Sequence, residues 1–379
     1  MEVVEIVRTG DPSPGSPYAQ PCFRIPALVA SGERLLLAYD VREDWRDLPG
    51  PFDIMLRTSD DVGRTWSSPI PFRMHDGSVG YGDASLIAEG DDVWCWYVSS
   101  DGPSFFTATA GHGLGLWLAH SVDRGETWTH TEVPGLRPSD VGGMFATSGN
   151  GIVLRQGPYA GRLLQPFVLR TQDGKRWAAV AASDDRGVTW TLGPRVGPDC
   201  DETKVVEVVE DEPRSAETAA GPSARDGVGG VLLLARDRPR RRTSWSADGL
   251  TYSLPEPHSA LLDPGCNGGA VTLPDERLVI SLLDHETDRC RLVLRVSDDA
   301  GLTWSPSIVV DPGAAAYSVL AVLPDGDLGL VYEVGDYHGI RFIRIGVDEL
   351  GFGDDGQQRL ESLSPSPGAA KPPVAGAAP

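Results

Sequence analysis

Only 5 cysteines occur in the 379 residues, at positions 22, 95, 200, 266 and 290, and no two of them form a CxxC pair. An odd number without that spacing argues against both a zinc site and a disulfide framework, so buried, reduced thiols are expected. Long apolar runs are missing too: nothing approaches the ~18 uninterrupted residues a membrane helix needs. The opening MEVVEIVRTG has neither the basic region nor the apolar stretch of a secretory leader. A soluble chain is therefore expected, acting inside the cell or written from a point after processing. Basic charge is scarce, with 33 Lys and Arg against 54 Asp and Glu, a net charge of -21 and a pI near 4.6. Such a surface repels phosphate backbones and anionic lipid, which excludes nucleic acid and membrane as partners. No long helical period is visible either.

What is abundant is turn chemistry: 45 Gly and 31 Pro, without a fixed Gly period, fit short strands joined by many turns. Self-comparison finds the pattern Ser-x-Asp-x-Gly-x-Thr-Trp four times, at Ser59–Trp66, Ser121–Trp128, Ser183–Trp190 and Ser297–Trp304. A degraded fifth copy starts at Ser246 and ends at Tyr252. Successive starts lie 62, 62, 63 and 51 residues apart, too regular for scattered turns. In each copy the Asp can accept from backbone amides ahead of it, the Gly takes a positive φ, and the Thr-Trp pair re-enters a strand. Apolar, β-branched runs flank the copies, as in 34–39, 53–57, 177–182, 231–235, 278–283 and 328–332.

A repeat of roughly 60 residues holding about four short strands has the size of a propeller blade. Five marked units and an unmarked one over about 310–350 predict an all-β, six-bladed β-propeller spanning 1–350. Residues 351–379 form a C-terminal tail, expected to be disordered from about 364, where SPSPGAAKPPVAGAAP offers almost no core-forming residues. The stretch 211–230, between two apolar strands, has the composition of a mobile hairpin tip. It is expected at the outer rim or leaning over the pocket mouth.

The Asp-box turns, together with Phe23-Arg24-Ile25-Pro26, resemble the sialidase (neuraminidase) family, whose second motif reads Tyr/Phe-Arg-Ile-Pro. The segment 38–66, AYDVREDWRDLPGPFDIMLRTSDDVGRTW, is similar to the first blade of secreted actinobacterial sialidases, and pieces at 157–163, 201–204 and 316–318 extend the likeness over about 18–350. It implies a glycoside hydrolase, an exo-α-sialidase working without cofactor or metal on terminal sialic acids of glycans and glycoconjugates, and a monomer.

The chemistry explains the residue types. Sialic acid carries a carboxylate on its anomeric carbon, and a planar guanidinium grips a carboxylate through two parallel hydrogen bonds. By family position the resemblance assigns this task to Arg24, Arg236 and Arg289, the last in competition with Arg291. A carboxylate nucleophile would be repelled by the substrate, and sialidases use Tyr instead. The family position gives Tyr317 as nucleophile, Glu202 as the base that draws off its proton, Asp47 as acid/base, Glu333 as the brace for Arg24, and Arg42 near the sugar's 4-hydroxyl. Isolated Asp-box turns lack the converging oxygens of a calcium site, so no metal is expected.

Each assignment has a structural rival. Arg24 and Glu333 form a buried ion pair in the plainer reading; Asp47 is a solvated charge beside Glu43 and Asp44; Asp199 or Asp201 takes the place of Glu202; Tyr317 belongs to the core. The run 236–242, RDRPRRR, reads as a solvated loop apart from Arg236. The tryptophans at 66, 128, 190 and 304 read as structural, and Trp45 and Phe145 are candidates for an acyl pocket. Other readings of function are a relative acting on a deaminated nonulosonic acid, a sialyl transferase, and a non-catalytic sugar-binding propeller.

Overall fold

The computed structural model describes residues 2–209 and 230–350; Met1, the segment 210–229 and the tail 351–379 lie outside the described residues. The strand β1 (Glu2–Arg8) comes first, then an antiparallel sheet of β2 (Cys22–Ser31), β3 (Arg34–Arg42), β4 (Asp53–Ser59) and β5 (Ile70–Arg73). A second sheet follows with β6 (Gly80–Glu89), β7 (Asp92–Ser100), β8 (Gly115–Ser121) and β9 (Thr129–Glu132). The third holds β10 (Val141–Ala146), β13 (Leu163–Thr171), β14 (Arg176–Ser183) and β15 (Thr191–Leu192). Of the two short strands between them, β11 (Gly149–Asn150) pairs in parallel with β6, while β12 (Ile152–Val153) pairs with β13. The fourth sheet is β16 (Thr203–Val208), β17 (Gly230–Ala235), β18 (Arg240–Ser246) and β19 (Glu256–Leu262).

The remaining strands are β20 (Ala270–Thr272), β21 (Leu278–Leu283), β22 (Cys290–Ser297), β23 (Ile308–Val322), β24 (Leu328–Val334) and β25 (Gly339–Ile345). With β1 they make one seven-stranded sheet in the order β1-β25-β24-β23-β22-β21-β20. It divides at the long strand β23, whose first half pairs with β22 and whose second half, from Ala315, pairs with β24.

The middle strands read as unbroken apolar runs because both of their faces are covered by neighbouring sheets; every residue of β17 (GVLLLA) and of β21 (LVISLL) is buried. Six apolar clusters fill the gaps. One lies between the first and second sheets, around Leu36, Leu86 and Tyr97, and the next between the second and third, around Trp94, Trp96 and Phe167. The series continues through each successive pair and returns to the start: Ile6 and Val7 of β1, with Val331 and Phe342, pack against Phe23, Leu37 and Tyr39 of the first sheet.

The repeated octapeptides form one turn, each between the third and fourth strands of its unit. In the third copy Asp185 Oδ1 accepts from Thr189 N at 2.8 Å and its Oδ2 from Thr189 Oγ1 at 2.6 Å, while Ser183 Oγ accepts from Gly187 N at 2.8 Å. The same pattern recurs around Asp61, Asp123 and Asp299. In three copies the Trp indole also bonds back to the glycine carbonyl, at 3.0 to 3.1 Å for Trp66, Trp128 and Trp190. Trp304 departs from this: its Nε1 is buried without a partner among the described residues.

Each turn glycine rests on a side chain of the preceding sheet. A Cβ at Gly125 would come within 2.2 Å of Leu36 Cδ2, at Gly187 within 2.3 Å of Trp94 Nε1, at Gly249 within 2.5 Å of Leu164 Cδ1 and at Gly301 within 2.4 Å of Leu232 Cδ2. Gly63 of the first sheet has φ +88° and sits 2.2 Å, by the same measure, from Phe342 of β25. Gly63→Ala is therefore expected to cost about 2–4 kcal/mol, through a left-handed non-glycine residue and a clash in a packed interface. A thermal melt with an unchanged midpoint would show that this turn is not docked.

Candidate active site

The candidate residues lie at one end of the sheets, at the starts of first strands and around the connections between second and third strands. Arg24 is in β2 and Arg42 ends β3; Asp47 is in the β3–β4 connection; Glu202 immediately precedes β16 and Arg236 follows β17. Arg289 precedes β22, Tyr317 is in β23 and Glu333 is in β24. Backbone bonds tie two of these ends together, since Arg236 N donates to Glu202 O at 2.8 Å.

Tyr317 is the hub. Its hydroxyl donates to Glu202 Oε2 at 2.5 Å and accepts from Arg236 Nη1 at 3.0 Å, and Arg236 Nη1 also donates to Glu202 Oε2. The guanidinium carbons of Arg24, Arg236 and Arg289 stand 5.5, 6.0 and 5.5 Å from its ring centroid. Burial pushes the phenol well above its ordinary value, and the Glu202 charge adds to this, against Arg236 and Arg289. Burial also raises the Glu202 carboxyl, opposed by Arg236. The phenol therefore keeps its proton at rest while a carboxylate stands in bonding contact to take it.

Glu333, fully buried, orients three groups: its Oε1 accepts from Arg24 Nε at 3.3 Å and from Ile25 N at 2.8 Å, and its Oε2 accepts from Tyr317 N at 3.0 Å. Ile25 takes φ 58°, rare for a β-branched residue, and its amide is thereby aimed at that carboxylate. Arg24 Nη1 donates to Trp45 O at 2.8 Å and to Asp47 Oδ1 at 3.2 Å. Asp47 Oδ1 accepts in addition from Arg42 Nη1 at 2.9 Å, although the Asp47 side chain is 66% exposed. What burial it has pushes its carboxyl up, but Arg42 and Arg24 outweigh this and hold it below the usual range.

Among the described residues Arg289 has no carboxylate within 4 Å; its Nη1 donates to Tyr337 Oη at 2.9 Å. The rival Arg291 turns away: at φ 59° it interrupts the strand alternation, and its Nε lies 3.5 Å from Asp284. Phe145 is partly buried against the core, edge-on to Phe105, and Trp45 is exposed.

Three sets of comparisons bear on this arrangement. A family model described as a BNR repeat-like domain matches residues 81–330. A sialidase of Micromonospora viridifaciens is 33% identical over 358 residues, covering 87% of this chain and 52% of the relative. The chain belongs to the sialidase family with BNR repeats. It spans about half the length of that Micromonospora relative. Among solved structures, Hadza microbial sialidase Hz136 superposes with a TM-score of 0.73 at 22% identity, over 86% of this chain and 66% of that one. The intramolecular trans-sialidase of Ruminococcus gnavus, solved with oseltamivir carboxylate, also gives 0.73, at 17% identity, over 86% of this chain and 95% of that one. Both likenesses support a propeller-like all-β fold.

The structure of this sialidase-family chain adds residues the sequence did not single out. Asp40, fully buried, accepts from Arg42 Nη2 at 2.7 Å and from Asp83 N at 3.2 Å, and Arg42 Nη2 lies 3.6 Å from Asp83 Oδ1. Burial, followed by the Asp40 charge, pushes the Asp83 carboxyl up to about 8. Gly82 leaves room for this contact, since a Cβ there would come 2.7 Å from Asp40 Oδ2. Lys204 is buried two residues beyond Glu202 and donates to Ser148 O; burial pushes its ammonium down to about 7. Tyr337 lies against Arg24, with the guanidinium carbon 4.3 Å from its ring centroid.

Proposed function

We propose that this chain is an exo-α-sialidase, a glycoside hydrolase that removes terminal α-ketosidically linked sialic acid with retention, through a tyrosyl intermediate. One observation carries the reading: a phenol in contact with a buried carboxylate, with three guanidiniums around the same ring. Arg24, Arg236 and Arg289 bind the carboxylate on the anomeric carbon. Arg289 is suited to it because no carboxylate among the described residues lies close enough to neutralise it. Arg42 faces the 4-hydroxyl, with Asp40 and Asp83 behind it.

In the first step Tyr317 Oη attacks the anomeric carbon and gives its proton to Glu202, while Asp47 protonates the departing glycosidic oxygen. In the second, water attacks the anomeric carbon, Asp47 takes its proton, and the Tyr317 oxygen leaves and recovers its proton from Glu202. Asp47 is a poor acid as it stands, with two arginines on one oxygen. A substrate carboxylate that takes over Arg24 removes one of those partners and adds a negative charge nearby. Both changes raise the Asp47 carboxyl, so binding itself arms the acid.

The repeat arithmetic, the cyclic series of clusters and the docking of each turn glycine on the preceding sheet support six blades. Halving the seven-stranded sheet at β23 yields the fifth and sixth, the sixth completed by β1. On this reading 1–350 is the catalytic domain of a monomer whose partners are sialylated glycans or glycoconjugates.

A fluorogenic sialoside run beside its deaminated analogue tests the activity, and no turnover of either would leave a sugar-binding propeller. An anhydro sugar or a transferred sialoside in place of free sialic acid would replace hydrolysis by the sialyl-transfer reading. Asp47→Ala is expected to slow natural glycosides by about 10²–10⁴-fold and activated aryl sialosides far less, because a good leaving group needs little protonation. Equal losses on both would remove Asp47 from the acid's role.

A further inference from the structure

Tyr337 has no part in the chemistry just described, yet it touches two of its three arginines. Its hydroxyl accepts from Arg289 Nη1 at 2.9 Å, and the Arg24 guanidinium carbon lies 4.3 Å from its ring centroid. The residue sits in the β24–β25 turn at φ 64°, an uncommon conformation for an aromatic side chain. That turn is secured on several sides: Gly335 N donates to Ala314 O at 2.8 Å, His338 N to Val334 O at 3.0 Å, and Thr9 N to His338 O at 2.8 Å. The Cys22 thiol reaches Tyr337 O at 3.8 Å.

We propose that Tyr337 is a positioning residue that holds Arg24 and Arg289 in register so that both can reach one substrate carboxylate; the inference rests on the sialidase reading. Arg289 depends on it most, since Tyr337 is its only side-chain hydrogen-bond acceptor among the described residues. Without that acceptor, only its stacking over the Tyr317 ring would restrain the guanidinium, and ordering it on binding would weaken affinity. A phenol suits the task because it is neutral: it orients the guanidinium without cancelling its charge. A carboxylate in the same place would compete with the substrate for Arg289.

Tyr337→Phe removes the acceptor and keeps the ring under Arg24. It is expected to weaken binding of 2,3-didehydro-2-deoxy sialic acid about tenfold, as loss of a hydrogen bond to a charged group does. KM for a sialoside should rise by a similar factor, with kcat within about threefold and an unchanged melting temperature. In a cycle with Arg289→Met, Tyr337→Phe should add almost nothing, because its effect runs through that arginine. Tyr337→Leu, which also removes the ring, should bind more weakly still.

Unchanged affinity in Tyr337→Phe, or additive losses in the cycle, overturns the inference. A lowered melting temperature with kcat and KM both impaired would reduce Tyr337 to packing and overturn it as well. Failure of the wild-type protein to bind the analogue is a distinct outcome, which sinks the sialidase reading and this inference with it.

Discussion

Tyr317→Phe and Glu202→Gln are each expected to lower kcat for a sialoside by roughly 10³-fold or more, and the double variant to be hardly worse than either single one. The reason is the 2.5 Å contact between the phenol and Glu202 Oε2. The phenol, raised far above neutrality, cannot attack without an acceptor for its proton, and Glu202 has no other proton to take from the reacting bond. Arg236 Nη1, in contact with both oxygens, keeps the negative charge from accumulating as the proton moves. Losses that multiply would contradict a single unit. A fluorinated sialic acid that traps the covalent species should label Tyr317, and a label found by mass spectrometry on Asp47 or Glu202 would remove Tyr317 from the nucleophile's role.

Arg24→Ala should be the most damaging of the arginine substitutions, lowering kcat/KM by about 10²–10⁴-fold, since removing the guanidinium from a desolvated charge pair with the substrate carboxylate costs about 2–5 kcal/mol. It also strands Glu333, fully buried and left, among the described residues, with the amides of Ile25 and Tyr317. Stability and binding can be separated. Adding Glu333→Gln removes the stranded charge, so the double variant should recover melting temperature without recovering activity. Recovery of activity in the double variant would show that Arg24 serves the fold and not the substrate.

Much of this was legible in the sequence because turn chemistry is local. The octapeptide encodes its own hydrogen bonds, so five turns and their spacing could be read directly. The stretch 310–350 has no such mark for a physical reason: its last strand, β25, pairs with β1, to which no turn joins it. The participation of β1 was accordingly invisible, since nothing in EVVEIVR announces a partner so distant.

The site divides in the same way. Arg24, Asp47, Glu202 and Tyr317 stand in recognisable motifs, whereas Asp40 and Asp83 matter through a contact across 43 residues. Tyr337 owes its position to a left-handed backbone that a Tyr codon does not advertise. The choice between Arg289 and Arg291 turned on a similar detail, since two positions apart on a regular strand would face the same way, and only the positive φ at 291 separates them.

The pairing of β1 with β25 carries a consequence for how the chain is made. At synthesis rates of about 5–20 residues per second, β1 leaves the ribosome tens of seconds before its partner exists. For that interval it is an orphan edge, able to template wrong pairings. Its composition limits the hazard: Glu2, Glu5 and Arg8 interrupt the apolar positions, and only Ile6 and Val7 become buried once the partner arrives. Charged interruptions of this kind keep a waiting strand from aggregating. Seating of β1 thus waits on β25, and the nascent chain must carry it, soluble and unmatched, until that partner emerges.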